Sequence, residues 1–201
     1  MRRTTTALAL ALLAGTASLA QAAAVVGQAA PAFTLTDVQG KSHSLDTLMG
    51  KWVVLEWVNY DCPFVQKHYK SGNMQALQTE YTGKGVVWLS VNSSAPGKQG
   101  NFTTAEIEAK GRERKVAYSA YLLDTDGKVG RAYDAKTTPH MYVIDPTGKL
   151  VYAGGIDDKP STDLADVKTA NNYVRAALDA AMAGKPVAVT NSQPYGCSVK
   201  Y

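Results

Sequence analysis

Leu55-Glu56-Trp57-Val58-Asn59-Tyr60-Asp61-Cys62-Pro63-Phe64-Val65 carries an apolar strand straight into a Cys-Pro step at which a helix starts. A thiol placed there sits at the positive end of a helix. The helix dipole and the unpaired N–H groups of the first turn favour loss of its proton. A free thiol has a pKa of about 8.5, and such sites lower it to about 3.5–7.5. The expectation for Cys62 is a moderately lowered value. Pro63 suits the first helical position, where it leaves one orphan donor fewer. Asp61 opposes the effect if its carboxylate lies close, and Lys67 or His68 offsets it if the helix turns either toward the sulfur. The bland alternative is a buried, inert cysteine, which leaves the Cys-Pro junction itself without a reason.

Outward from this stretch, apolar runs alternate with helix-like segments. Ala32 to Leu35 is a candidate first strand. Trp52 to Val58 is almost continuously apolar, as a strand buried on both faces should be. Pro63 to Tyr81 reads as a helix in two pieces, with Gly72 ending the first and Asn73 capping the second. Gly85 to Val91 is the next strand. Thr103-Thr104-Ala105-Glu106 fits a capping box that opens a helix to about Arg114. Tyr121 to Asp124 is a short strand and Lys128 to Tyr133 a short helix. Met141 to Asp145 and Leu150 to Ala153 flank Asp145-Pro146-Thr147-Gly148-Lys149, a hairpin turn by composition. A last helix is expected from Leu164 to Ala183, with a stripe at 167, 170, 174, 178 and 181. The tail, residues 187–201, is expected along the surface. This order makes an α/β protein with a mixed sheet.

The ends and the bulk composition narrow the setting. Residues 1–24 read as a secretory signal, with Arg2 and Arg3 ahead of the apolar stretch Ala7 to Ala14. Ala20-Gln21-Ala22 and Ala22-Ala23-Ala24 both offer small-x-small cleavage sites. The stretch is too short and too rich in small residues for a stable membrane span. The expected mature chain, residues 25–201, is one domain, secreted to a bacterial periplasm and free of the membrane after cleavage. Losing Arg2 and Arg3 takes the formal charge from +4 to +2, too weak a balance for a nucleic-acid partner. The two cysteines, Cys62 and Cys197, would mature in an oxidising compartment.

The ordered features together resemble a thioredoxin-like three-layer α/β/α fold with a central mixed sheet. A buried strand leads into Cys62-Pro63. Thr138-Pro139 precedes the strand Met141-Tyr142-Val143-Ile144-Asp145, and a hairpin and final helix follow. More narrowly, three pieces resemble the peroxiredoxin-like redoxins of the alkyl hydroperoxide reductase and thiol-specific antioxidant group. They are Cys62-Pro63-Phe64-Val65, the Asn-Ser-Ser-Ala-Pro-Gly loop from Asn92, and the tail Gly196-Cys197-Ser198-Val199-Lys200. The resemblance implies a cis Pro139 lying against the reactive cysteine, with Thr138 and Pro139, beside Pro63, on the substrate-facing side. It also implies a buried acid six residues before the cysteine, which Glu56 matches. Two departures from the pattern stand out. Val65 stands where a Cys-x-x-Cys motif has its second thiol. Leu55 and Asn59 stand where peroxiredoxins carry Pro and Thr, although Asn59 could still hydrogen-bond a peroxide oxygen.

Each candidate residue has two readings. Glu56 interrupts an apolar strand, where an unpaired charge is costly. It is either a proton acceptor with a raised pKa or a carboxylate paired with a Lys or a hydroxyl. Cys197 either resolves a sulfenic acid on Cys62, forms a permanent disulfide with it, or stands as an unpaired thiol. His140 follows Pro139 and is placed to approach the site. Cys62, His68 and His140 make a weak copper pattern. No organic cofactor motif and no phosphate-cradling glycine loop is present. The expected activity is a thiol-dependent oxidoreductase, with a hydroperoxide as substrate and a thiol protein as reductant. The alternatives are exchange with protein disulfides and a non-catalytic binding or copper-carrier module.

Overall fold

The computed structural model describes residues 23–201, so all but the last two residues of the expected signal segment lie outside the described residues. Strand β1 (Thr34–Asp37) turns back into β2 (Ser42–Ser44), and β3 (Val53–Trp57) runs into α1 (Pro63–Lys70) and α2 (Asn73–Gly83). Then come β4 (Val87–Asn92), α3 (Thr104–Arg114), β5 (Ala120–Leu123) and α4 (Lys128–Ala132). The short strand β6 (Thr137–Thr138) precedes the hairpin of β7 (His140–Ile144) and β8 (Leu150–Gly154). Helix α5 (Tyr173–Met182) and β9 (Cys197–Ser198) complete the chain.

The main sheet has the order β2-β1-β5-β4-β3-β7-β8, with β3, β4 and β5 mutually parallel and the outer strands antiparallel. The mixed α/β sheet is the expected one. Its strands alternate sides. Val54 and Val58 of the β3 region, Trp88 and Met141 face one apolar layer, which α1, α2 and α5 cover. Val53, Leu55, Trp57, Leu89 and Tyr142 face a second layer, closed by the N-terminal segment and by Tyr133 and Ala135 after α4. That second layer is thin, since α4 is a five-residue helix. Among the described residues no helix is long and apolar enough to cross a membrane.

Local chemistry explains most element ends. Thr103 accepts from the Glu106 N–H while Glu106 reaches back to the Thr103 N–H, the expected capping box. Two expectations need correction. The residue ahead of α2 is Gly72, in the left-handed conformation, and the Asn73 amide is spent on His68 instead of a cap. The last helix is broken: a 3-10 segment, Leu164–Lys168, stops short, and Asn172 caps a fresh start by accepting from the Arg175 N–H at 2.9 Å. Asn is a strong cap and a poor interior residue, so Asn171-Asn172 marks a boundary inside the apolar stripe. The tail lies along the surface as expected, every residue from 187 to 201 being half-buried or exposed, and it is pinned there: it runs beside β8 at Thr190 to Ser192 and then forms β9 against β6.

Candidate active site

Cys62 is the N-cap of α1, with extended backbone, Pro63 at the first helical position, and its carbonyl accepting from the Gln66 N–H at 2.9 Å. The turn that delivers it is tied by Asn59. The Asn59 carbonyl accepts from the Cys62 N–H at 3.0 Å, and its side-chain oxygen accepts from the Asp61 N–H at 3.0 Å. The amide nitrogen reaches the Gln99 carbonyl at 3.5 Å. Asn59 thus shapes the loop, and its amide groups are spent there instead of facing a peroxide oxygen.

The charges that could have tuned the sulfur all face elsewhere. Asp61 pairs with Lys110 at 3.2 Å. Lys67 is buried and donates to the Lys159 carbonyl at 2.7 Å. Arg114 lies over the Tyr60 ring at 4.9 Å and donates to the Lys110 carbonyl. His68 is buried, with Nδ1 beside the Asn73 amide at 2.9 Å and Nε2 beside the Tyr195 hydroxyl at 3.1 Å. Burial and the neighbouring Lys67 charge push its pKa down to about 3, so its ring is neutral. His140 is on the other face of the sheet, where its neighbour Tyr142 packs in the second layer. Its Nδ1 accepts from the Lys136 N–H at 3.3 Å. Cys62, His68 and His140 are therefore not brought together, which removes the copper pattern.

Thr138-Pro139 is a cis peptide. The Cys62 thiol, fully buried, donates to the Thr138 carbonyl at 3.1 Å. On the other side of that residue, β9 pairs antiparallel with β6 in the register Thr138 opposite Cys197 and Thr137 opposite Ser198. The Val199 N–H continues the pairing to the Lys136 carbonyl at 3.0 Å, and the Ala95 N–H, from the loop after Asn92, donates to the Lys200 carbonyl at 2.8 Å. Gly196 approaches so closely that a Cβ there would lie 2.1 Å from the Thr138 oxygen. Cys197 is set against Cys62. Burial, a hydrogen bond that the Cys197 thiol donates to Cys62 and the charge of a Cys62 thiolate push the Cys197 thiol up to about 12. Both cysteines are free thiols in the structure.

Glu56 is fully buried on the same face of the sheet as α1. Tyr69 donates to Oε1 at 2.9 Å; Trp88, Ser90 and Gln78 donate to Oε2 at 2.9, 3.1 and 3.2 Å. Burial raises its pKa, and the four donors oppose that rise. Its partners are a phenol, an indole, a hydroxyl and an amide, with no cation among them.

A polar group under the tail escaped the sequence reading. Tyr195 donates to Asp157 Oδ1 at 2.5 Å, meets His68 Nε2, and sets its ring edge-on to Phe64. The available signal was His68 itself, which shares a helix stripe with the apolar residues Val65 and Tyr69. Nothing in the spacing pointed to Asp157 or Tyr195.

Comparison with known proteins gives the family and the fold. The thiol-disulfide oxidoreductase ResA of Bacillus subtilis (strain 168) is 28% identical over 132 residues, which cover 62% of this chain and 64% of ResA. The match thus spans less than two thirds of that relative's length. An uncharacterised conserved protein from Geobacillus kaustophilus superposes with a TM-score of 0.75 at 29% identity, covering 88% of this chain and 92% of its own. A hypothetical protein from Sinorhizobium meliloti 1021 gives 0.74 at 26% identity, covering 88% and 94%. The fold is thioredoxin-like. The AhpC/TSA family matches residues 26–153, a segment that holds Glu56, Cys62 and Pro139 and stops before Cys197, and the chain belongs to that family.

Proposed function

We propose that the protein is a thiol–disulfide oxidoreductase of an oxidising compartment such as the periplasm, with Cys62 as nucleophile and Cys197 as resolving thiol. The observation that carries this reading is the β6–β9 register, which sets Cys197 opposite the residue whose carbonyl holds the Cys62 thiol. It supplies by tertiary structure the second thiol that Cys-x-x-Cys supplies by sequence. The name of the ResA relative agrees with it.

In the reaction the Cys62 thiolate attacks one sulfur of a protein disulfide. A Cys62–substrate mixed disulfide forms and the other substrate sulfur leaves as a thiolate. Cys197, losing its proton, then attacks the Cys62 sulfur and releases the second substrate thiolate. The chain ends with a Cys62–Cys197 disulfide and the substrate reduced by two electrons. A dithiol protein reverses these steps and is itself oxidised. Pro63 is exposed, Thr138 and Pro139 are buried beside β9 and would complete the rim a substrate meets once β9 lifts, and Asn59 positions the nucleophile's turn. Glu56, in the same layer, stands as a proton acceptor for the thiol, with its pKa raised for that task.

Hydroperoxide reduction is the second reading, favoured by the family match. There the thiolate takes one peroxide oxygen to give a sulfenic acid and an alcohol, and Cys197 condenses with it to release water. The engaged Asn59 amide, and a Cys62 thiol whose hydrogen-bond partner among the described residues is a carbonyl and not a cation, give it less support. The deciding experiment follows loss of both free thiols after mixing the reduced protein with a small protein disulfide or with hydrogen peroxide at equal concentration. Faster loss with the disulfide is expected. Loss with peroxide alone would overturn the assignment.

A further inference from the structure

Cys62 is fully buried beneath β9, so no substrate sulfur can approach its Sγ in line while β9 is seated. Resolution needs the opposite, since Cys197 must then lie on Cys62. The seating of β9 therefore controls both halves of the cycle. A two-residue strand pair is weak by itself. What holds it are anchors on either side.

Tyr201 donates to the Ala135 carbonyl at 2.7 Å and lies under the Arg131 guanidinium at 4.4 Å. Tyr195 is anchored differently. Asn73 Nδ2 donates to His68 Nδ1, which leaves the ring proton on Nε2, facing the Tyr195 oxygen. The Tyr195 hydroxyl in turn donates to Asp157 Oδ1, and the Lys159 N–H donates to the same oxygen at 2.9 Å. The second Asp157 oxygen is buried without a hydrogen bond, 4.0 Å from His68 Nε2. A hydrogen bond to a carboxylate is about twice as strong as a neutral one. Tyr195 is also only two residues before Cys197. Both meet α1: Cys197 at its N-cap, Cys62, and Tyr195 at Phe64 and His68.

We propose that Tyr195 is a latch, a positioning residue whose hydroxyl, held by Asp157 and His68, sets how firmly Cys197 is seated on Cys62 and how often Cys62 is uncovered. The role rests on the thiol–disulfide reading and names the residue that governs it. Releasing the latch moves two quantities by one factor. Cys62 becomes more accessible, and the Cys62–Cys197 disulfide becomes easier to open.

The test uses Tyr195→Phe, which keeps the ring against Phe64 and removes only the hydroxyl. In a Cys197→Ser background, alkylation of Cys62 by iodoacetamide under native conditions should speed up about ten-fold, the range of one bond to a charged group. In the two-cysteine chain, the equilibrium of the Cys62–Cys197 disulfide with glutathione should shift about ten-fold toward the dithiol. Tyr201→Phe, which loses a bond to a neutral carbonyl, should move both less. Equal alkylation rates with and without the Tyr195 hydroxyl would overturn the latch. If the unaltered chain forms no internal disulfide with glutathione, the thiol–disulfide reading fails, while the alkylation rates still decide the latch. Should Tyr195→Phe not fold, Asp157→Asn, which keeps an acceptor of lower strength, replaces it with the same expected directions and the same overturning result.

Discussion

Glu56 and Asp157 are both buried carboxylates on α1's side of the molecule, and their surroundings differ in kind. Glu56 has four donors spread over both oxygens, drawn from α1, α2 and β4. Asp157 has two, both on one oxygen, from the Lys159 N–H and from Tyr195 of the tail. A fully satisfied buried carboxylate cross-links the elements that define a layer, and losing it strands every donor at once. A half-satisfied one, with a donor on a segment seated by short pairing, is a joint whose partner can leave. Cys62, the proposed nucleophile, is held on α1 at the Thr138 carbonyl and set against Cys197 of the tail that Asp157 helps to anchor.

The largest expected effect is chemical. Cys62→Ser should drop disulfide exchange to the uncatalysed rate with folding intact, as an insulin-reduction assay with a thiol reductant would show. Retained activity would move the nucleophile elsewhere and leave the comparison without its middle term. Next comes the direct contrast between the carboxylates. Glu56→Ala should cost about 3 kcal/mol or more, since each stranded buried donor costs about 1–3 kcal/mol. Asp157→Ala should cost about 1 kcal/mol, because its donors can reach water once the tail lifts. Urea denaturation measures both, and equal losses would erase the distinction.

The two buried histidines sharpen the contrast through pH. His68, tied to the Asp157 joint, is held down to about 3, and His140, on the opposite face, to about 4. Burial is the main cause for each. Both native values lie below the unfolded value of about 6.5, so the unfolded chain binds more protons there. Stability is therefore full above that value and falls as pH drops toward the native ones, by about 1.4 kcal/mol per pH unit for each ring. Glu56, raised by burial, acts in the opposite sense and favours the folded chain at low pH. His140→Gln should flatten the stability–pH curve between pH values of about 6 and 5 by one ring's share. An unchanged slope would mean that ring is not neutral in the folded chain. The smallest effect belongs to neither region. Thr103→Ala removes the α3 cap and should cost about 1 kcal/mol in the same urea measurement, without altering either thiol's reactivity.

The sequence revealed the parts of the molecule that depend on near neighbours. The Cys-Pro entry to α1, the Thr103 capping box, the hairpin of β7 and β8 and the isolated acid in β3 all carry their signal within a few residues. Legibility failed where partners are distant. The α5 start was hidden because an apolar stripe runs through Asn171-Asn172 and outweighed the capping preference. The pairing of β9 with β6 was hidden because two-residue strands have no periodicity to read. Asp157 and Tyr195 looked like ordinary loop residues, since only tertiary structure stacks one on the other above His68. His140 was placed near the thiol by its adjacency to Pro139, yet residues next to one another on a strand point to opposite faces.

Cys62 and Cys197 are about 135 residues apart in the chain, and Gly196 must settle against the Thr138 carbonyl before they meet. Contacts of such separation carry a large loop-closure cost and tend to form late in folding. The turn that delivers Cys62 is tied locally by Asn59, whereas its cover depends on the distant β6–β9 pairing. Until β9 pairs with β6, a folding chain leaves Cys62 without that cover. Other thiols or disulfides in its compartment can then reach Cys62 more easily than at any later time, and arrival of the C-terminal strand ends that exposure.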